Sequence, residues 1–123
     1  MINNSFLFDT YAFFEVLKGS VEYSKYKDAE ILTTKLNIYE LYLGIFRSAD
    51  EKSARDATDK YYNFAIDFDK NVIEQAAKLK VNLNKRDLSM TDCIGYELAK
   101  QLGIKFLTGD EQFKDMENVE FVK

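Results

Sequence analysis

The sequence predicts an α/β protein with a largely parallel five-stranded sheet and helices on both of its faces. Short apolar runs of strand character alternate with longer segments of helical spacing. Strands separated by helices need crossover connections, which make the sheet parallel and cover both faces. Pro is absent and the five Gly are scattered, so nothing marks a linker, a repeat or a boundary, and residues 1–123 read as a single domain.

Each element has its own signal. Residues 2–8 read as the first strand, ending in Asp9. Residues 10–18 follow as a helix closed by Gly19, with a short helical piece over 21–26. Residues 29–33 are the second strand. Residues 34–46 form a strongly apolar helix, and residues 50–62 a polar one with charges on most faces. Residues 64–68 set Phe64, Ile66 and Phe68 against Ala65 and Asp67 and read as a third strand. Residues 70–83 carry Val72, Ile73, Ala76, Leu79 and Leu83 at helical spacing behind Asp69, a natural N-cap. Residues 89–102 are the last helix, stopped by Gly103. Residues 105–108 and 119–122 complete the strands. In such a sheet a ligand sits outside the carboxyl ends of the strands, where their order switches.

Composition narrows the chemistry. The chain has 17 Lys and Arg against 21 Asp and Glu, a net charge of −4. That balance argues against a general nucleic-acid coat protein, but it suits an enzyme whose carboxylates hold cations against phosphate. The absence of His excludes His-metal sites, catalytic triads and imidazole acid–base chemistry. One Cys excludes a disulfide framework and a Cys-based zinc site. With no His to activate it, Cys93 reads as a small buried side chain. No apolar run approaches about 20 residues, so no transmembrane helix is expected. The N-terminus, MINNSFLFD, has no basic residue ahead of its apolar stretch and does not read as a signal peptide. The expected location is the cytoplasm.

Four carboxylates stand in telling places. Asp9 and Asp110 follow apolar strands directly, and each reads equally as a helix cap or as a ligand at the sheet edge. Asp92 lies three residues after Ser89, the spacing of a capping box. Gly95 follows on the same helical face and is expected to leave room above that carboxylate. Glu40 is the one charge in IYELYLGIF, residues 38–46. A carboxylate on a helix apolar on nearly every face must be paired, protonated or bound to a cation. Lys35 and Arg47 lie outside the i+3 and i+4 spacings that would pair it locally. Four such acids converging would repel one another unless cations lay between them. Oxygen donors favour Mg²⁺ or Mn²⁺. Two such ions about 4 Å apart support phosphodiester hydrolysis without a His, Cys or Ser nucleophile. This reading expects the four acids in one metal-sized cluster.

At these residues the chain resembles the PIN-domain nucleases over essentially its whole length. Phe6-Leu7-Phe8-Asp9-Thr10 resembles the family's opening strand. Leu36 to Gly44, around Glu40, resembles its second motif. Leu88-Ser89-Met90-Thr91-Asp92 with Gly95-Tyr96-Glu97-Leu98-Ala99 resembles the third, and Phe106-Leu107-Thr108-Gly109-Asp110-Glu111-Gln112-Phe113 the closing Thr-x-Asp-x-x-Phe. The resemblance implies a three-layer sandwich around a five-stranded parallel sheet and a metal-dependent endoribonuclease. The compact form is most similar to VapC-type toxins of toxin–antitoxin pairs, which implies a homodimer silenced by a cognate antitoxin. Carried over by motif, Asp9, Glu40, Asp92 and Asp110 become the catalytic, metal-holding quartet with Mg²⁺ or Mn²⁺, and Thr10 and Thr108 accessory hydroxyls. For the two Thr, capping and strand propensity read equally well.

Other residues stay open. Lys78, Lys80, Lys85 and Arg86 read as an RNA-backbone contact or as a solvated helix end. Among 10 Phe and 8 Tyr, the Tyr surplus at Tyr23, Tyr26, Tyr61 and Tyr62 suggests an interface or base stacking. The alternatives to a ribonuclease are a catalytically silent scaffold of the same fold and a phosphoacceptor receiver domain. The latter would need an acid pair where Asp9 stands alone, an acceptor at Asp67 or Asp69, and a Lys with a helix beyond it where Lys123 ends the sequence.

Overall fold

The computed structural model describes residues 4–123, so the start of the first expected strand, residues 2 and 3, lies outside the described residues. Four strands build the sheet: β1 (Ser5–Phe8), β2 (Glu30–Leu32), β3 (Lys105–Thr108) and β4 (Val119–Phe121). Their order is β2-β1-β3-β4, and every pairing is parallel. The helices are α1 (Thr10–Lys18), α2 (Lys35–Ser48), α3 (Glu51–Tyr61), α4 (Lys70–Asn82) and α5 (Met90–Leu102), with 3-10 turns at Val21–Tyr26, Tyr62–Phe64 and Glu111–Phe113.

Period-two alternation sorts the sheet's side chains into two cores. Leu7 pairs with Phe106 and Phe8 with Leu107, so each pair faces one side. Leu7 and Phe106 pack under α4 and α5, with Val72, Ala76, Leu98 and Phe113. Phe8 and Leu107 pack under the other layer, with Phe13, Ile38, Leu41 and Tyr61. Each fully buried large side chain stabilises the fold by about 1.5–3 kcal/mol. The expected three layers are present.

The fifth expected strand is not. Residues 64–68 contribute one isolated parallel bridge, Thr33 to Ala65, made by Thr33 N–H to Phe64 O (3.0 Å) and Ile66 N–H to Thr33 O (2.9 Å). Thr34 then caps α2, so the partner backbone turns away from the sheet before a second rung can form. The apolar helix also differs from expectation. It is amphipathic, burying Ile38 and Leu41 while Tyr39 and Phe46 are 66% and 51% exposed.

Local chemistry sets the helix ends. Asp9, Thr34, Asp50, Asp69 and Ser89 each cap a helix by accepting a backbone N–H, which satisfies donors the helix itself leaves open. Gly19 at φ 76 and Gly103 at φ 73 close α1 and α5 in the left-handed conformation. Among the described residues, no helix is long and apolar enough to cross a membrane.

Candidate functional site

The strand order switches at β1. The chain leaves β1 through α1 to β2 on one side, and returns to β3 on the other. The crevice at the carboxyl ends of β1 and β3 is therefore the place for chemistry. Asp9 extends this pairing, donating its N–H to Leu107 O (3.0 Å). Its side chain is nearly buried, at 3% exposure. Oδ1 accepts from Thr10 N–H (2.8 Å) and Oδ2 from the Thr108 hydroxyl (2.7 Å). Burial and then the charge of Asp92 push this carboxyl up to about 8, with Glu40 adding to the rise and the Thr108 and Thr10 hydrogen bonds opposing it.

Thr108 ties Asp9 to Asp110. Its hydroxyl accepts from Asp110 N–H (3.1 Å) and gives its own proton to Asp9. Asp110 Oδ1 accepts from Gln112 N–H (3.0 Å), capping the 3-10 turn after β3. Gly109 is required between them: a Cβ there would lie 2.3 Å from both Val122 O and the Tyr11 ring. Asp92 sits in a complete capping box, with its N–H on Ser89 Oγ (3.1 Å) and its Oδ2 accepting from Ser89 N–H (2.9 Å). Burial pushes Asp92 up to about 6, helped by Asp110 and Glu40 and opposed by the Ser89 hydrogen bonds. Glu40, half-buried on α2, accepts the Thr10 hydroxyl proton at Oε1 (2.7 Å).

The four acids thus share one electrostatic environment at one sheet edge. Among the described residues, no Lys or Arg forms an ion pair with any of them. An all-oxygen, cation-free donor set has the chemistry that suits a hard divalent ion. The expected metal-sized cluster is corrected, however. Among the described residues, no three acids, His or Cys gather into a ready-made metal cage.

A family model described as PIN domain matches residues 6–119. The chain belongs to the PIN domain family. No curated protein is a significant sequence match. Among solved structures, this PIN domain is similar to Mycobacterium tuberculosis VapC20, a sarcin-ricin loop cleaving toxin (18% identity, 96% of this chain and 99% of that one, TM-score 0.74). It is also similar to a chain of Rickettsia felis VapBC2 bound to promoter DNA (16%, 96% and 97%, 0.73), and to one of a Klebsiella pneumoniae toxin–antitoxin complex (19%, 92% and 93%, 0.69). At these identities the likeness speaks for the fold. Family membership removes the receiver-domain alternative.

Several readings of this PIN domain's sequence resolve differently in three dimensions. Capping and site membership are not alternatives, because the same Asp side chains do both. Gly95 faces the sheet: it lets α5 lie on the strands, where a Cβ would stand 3.0 Å from Phe106 and 3.5 Å from Leu7. Tyr23, Tyr26 and Tyr61 are core residues, and only Tyr62 of the four is exposed. In the basic run, Lys80 binds Leu88 O, and Arg86 binds Gln112 O (2.6 Å) and Asp115 (3.1 Å). Cys93 is buried, its thiol pushed up by burial and by Asp92.

Two further groups of residues support the site. Asn37, fully buried, donates from Nδ2 to Thr10 Oγ1 (3.0 Å) and accepts the Thr34 hydroxyl proton at Oδ1 (2.7 Å). Arg86 and Gln112 join the loop before α5 to the loop carrying Asp110, with Asp87 N–H on Gln112 Oε1 (3.2 Å). The available signal for Asn37 was a polar residue one helical turn before Glu40 on an otherwise apolar face.

Proposed function

We propose that this PIN domain is a Mg²⁺- or Mn²⁺-dependent endoribonuclease and the toxin of a toxin–antitoxin pair. The observation that carries the reading is the set of four acids at the β1/β3 crevice, two of them pushed up by burial and by neighbouring acids of the set, with no cation paired to any among the described residues. Asp9, Glu40, Asp92 and Asp110 would hold the ion. When bound, it supplies an activated water and neutralises phosphate charge. Asp9 is held through both carboxylate oxygens, so it is fixed in direction before any ligand arrives. Thr108 keeps Asp9 and Asp110 in register, and Thr10 holds Glu40. The expected products carry 5′-phosphate and 3′-hydroxyl ends.

The toxin assignment draws on similarity to chains from toxin–antitoxin complexes. It brings a cognate antitoxin, a homodimer and a cytoplasmic location as parts of one reading. Exposed Tyr39, Phe46, Ile73, Val81 and Met90 leave apolar surface for protein partners. The test is cleavage of a transfer-RNA and ribosomal-RNA panel with Mg²⁺ or Mn²⁺, wild type beside Asp92→Asn. Discrete cuts that vanish with chelator and with the variant are expected. Equal cutting by both proteins would sink the site assignment. No cutting together with no Mn²⁺ binding would leave a catalytically silent scaffold.

A further inference from the structure

A one-way hydrogen-bond chain runs from the start of α2 to the Glu40 carboxylate. Asn37 N–H donates to Thr34 Oγ1 (3.2 Å), and the Thr34 hydroxyl donates to Asn37 Oδ1 (2.7 Å). Asn37 Nδ2 donates to Thr10 Oγ1 (3.0 Å), and the Thr10 hydroxyl donates to Glu40 Oε1 (2.7 Å). Thr34 and Asn37 are both 0% exposed, so water does not compete for the protons exchanged between them.

The direction is forced. A hydroxyl has one proton and can accept as well. Because Asn37 fills an acceptor position on Thr10, the Thr10 proton is free for Glu40. The opposite amide orientation would set two acceptors, the Asn37 carbonyl and Glu40, against that single proton. Thr34 fits the same orientation, its oxygen accepting the Asn37 N–H and its proton going to Oδ1.

We propose that Asn37 is a positioning residue of this site: it commits the Thr10 hydroxyl proton to Glu40 and so fixes the direction of that carboxylate. Thr10 also donates its backbone N–H to Asp9, so the chain sets Glu40 relative to Asp9. The value of that arrangement rests on reading Glu40 as an ion-holding acid. The positioning itself is present in the metal-free protein.

The test is a double-mutant cycle on Mn²⁺ affinity, by calorimetry, between Thr10→Val and Asn37→Leu. Thr10→Ser, which keeps the hydroxyl, is the rescue variant. Each of the first two is expected to weaken Mn²⁺ binding by about tenfold or more, as for other groups that orient metal ligands. The double variant should be no weaker than the worse single, and Thr10→Ser should stay within about twofold of wild type. Penalties that multiply, or an unchanged affinity for Asn37→Leu, would overturn the proposal. A purely structural Asn37 would lower the unfolding midpoint without this coupling to Thr10. A second readout needs no metal and no Asn37 variant: the Asn37 side-chain amide signal in the ¹H–¹⁵N spectrum should shift in Thr10→Val and return in Thr10→Ser. An amide that ignores Thr10→Val overturns the chain whatever the metal result. Absent Mn²⁺ binding with a responsive amide would remove the metal reading of the site and leave the positioning intact.

Discussion

The Asp9 carboxyl sits where burial and neighbouring charge oppose its ionisation, at about 8 against an ordinary value of 3.8. The folded protein therefore keeps a proton that the unfolded chain has lost. The stability this contributes is full below about pH 4 and is lost as pH rises through about 8. Asp92, pushed up to about 6, acts in the same direction over a lower window. Exposed Asp50, Glu111 and Asp115 are shifted down by their partners, so their contribution is lost only as pH falls further. Urea unfolding of the metal-free protein should thus show a midpoint that falls from pH 5 to pH 8, the unfolding free energy dropping by on the order of a few kcal/mol. Asp9→Asn should flatten that fall and be more stable than wild type at pH 8. Mn²⁺ at pH 8 should raise the wild-type midpoint, and Asp9→Asn should lose that gain. A wild-type midpoint indifferent to pH would mean Asp9 is solvated. The acids were legible in the sequence because each belongs to a local pattern, a strand end, a capping box or, for Glu40, a lone charge in an apolar run. Asn37 left only its polarity on an apolar face as a signal; its role was not legible, because its partner Thr10 lies 27 residues away in sequence, and no local pattern records a contact made only by packing.

At the scale of elements, the same distinction decides which strands were legible. Residues 105–108 and 119–122 meet in a continuous parallel pairing, so their apolar runs coincide with real strands. Residues 64–68 alternate as a strand should, but alternation reports only which face a side chain takes. Pairing also needs a partner backbone, and β2 gives way to the α2 cap after Leu32. The connection from β3 to β4 is the tightest in the sheet. It has no α-helix, and it turns back through Asn118 in the left-handed region at φ 64, a conformation Asn tolerates. Phe113, fully buried, anchors its middle. Gly109 lets its first residues pass against Val122 O and Tyr11. Gly109→Ala should therefore cost about 1–3 kcal/mol in chemical unfolding, the scale of an overpacked core. Because Asp110 is the next residue, it should also weaken Mn²⁺ binding. An unchanged midpoint would show that the crossing near Val122 gives way easily, and that Gly109 does not set the position of Asp110.

Across the whole molecule, a net charge of −4 coincides with a crevice lined by four acids that, among the described residues, form no ion pair. RNA is a polyanion, so such a face repels its proposed substrate until divalent ions offset the charge. The basic residues do little to relieve this locally. Arg86 is turned onto Gln112 O and Asp115, and Lys123 onto Glu111. The fold places these four acids near the point where β1 and β3 end, between the two cores. One expectation separates this picture from an RNA site elsewhere on the surface. In chelator, Asp92→Asn should bind single-stranded RNA more tightly than wild type, by roughly two- to threefold, because one nearby charge has been removed. Adding Mg²⁺ or Mn²⁺ should strengthen wild-type binding more than that of the variant and close the gap. Raising the salt should shrink the difference in chelator, because screening weakens exposed charges most. Fluorescence anisotropy with a hydrolysis-resistant analogue of an RNA the protein cuts would measure all three effects. Identical affinities for wild type and Asp92→Asn in chelator would mean that the RNA backbone does not lie against these carboxylates, and the proposed cleavage site would have to be sought away from the β1/β3 crevice.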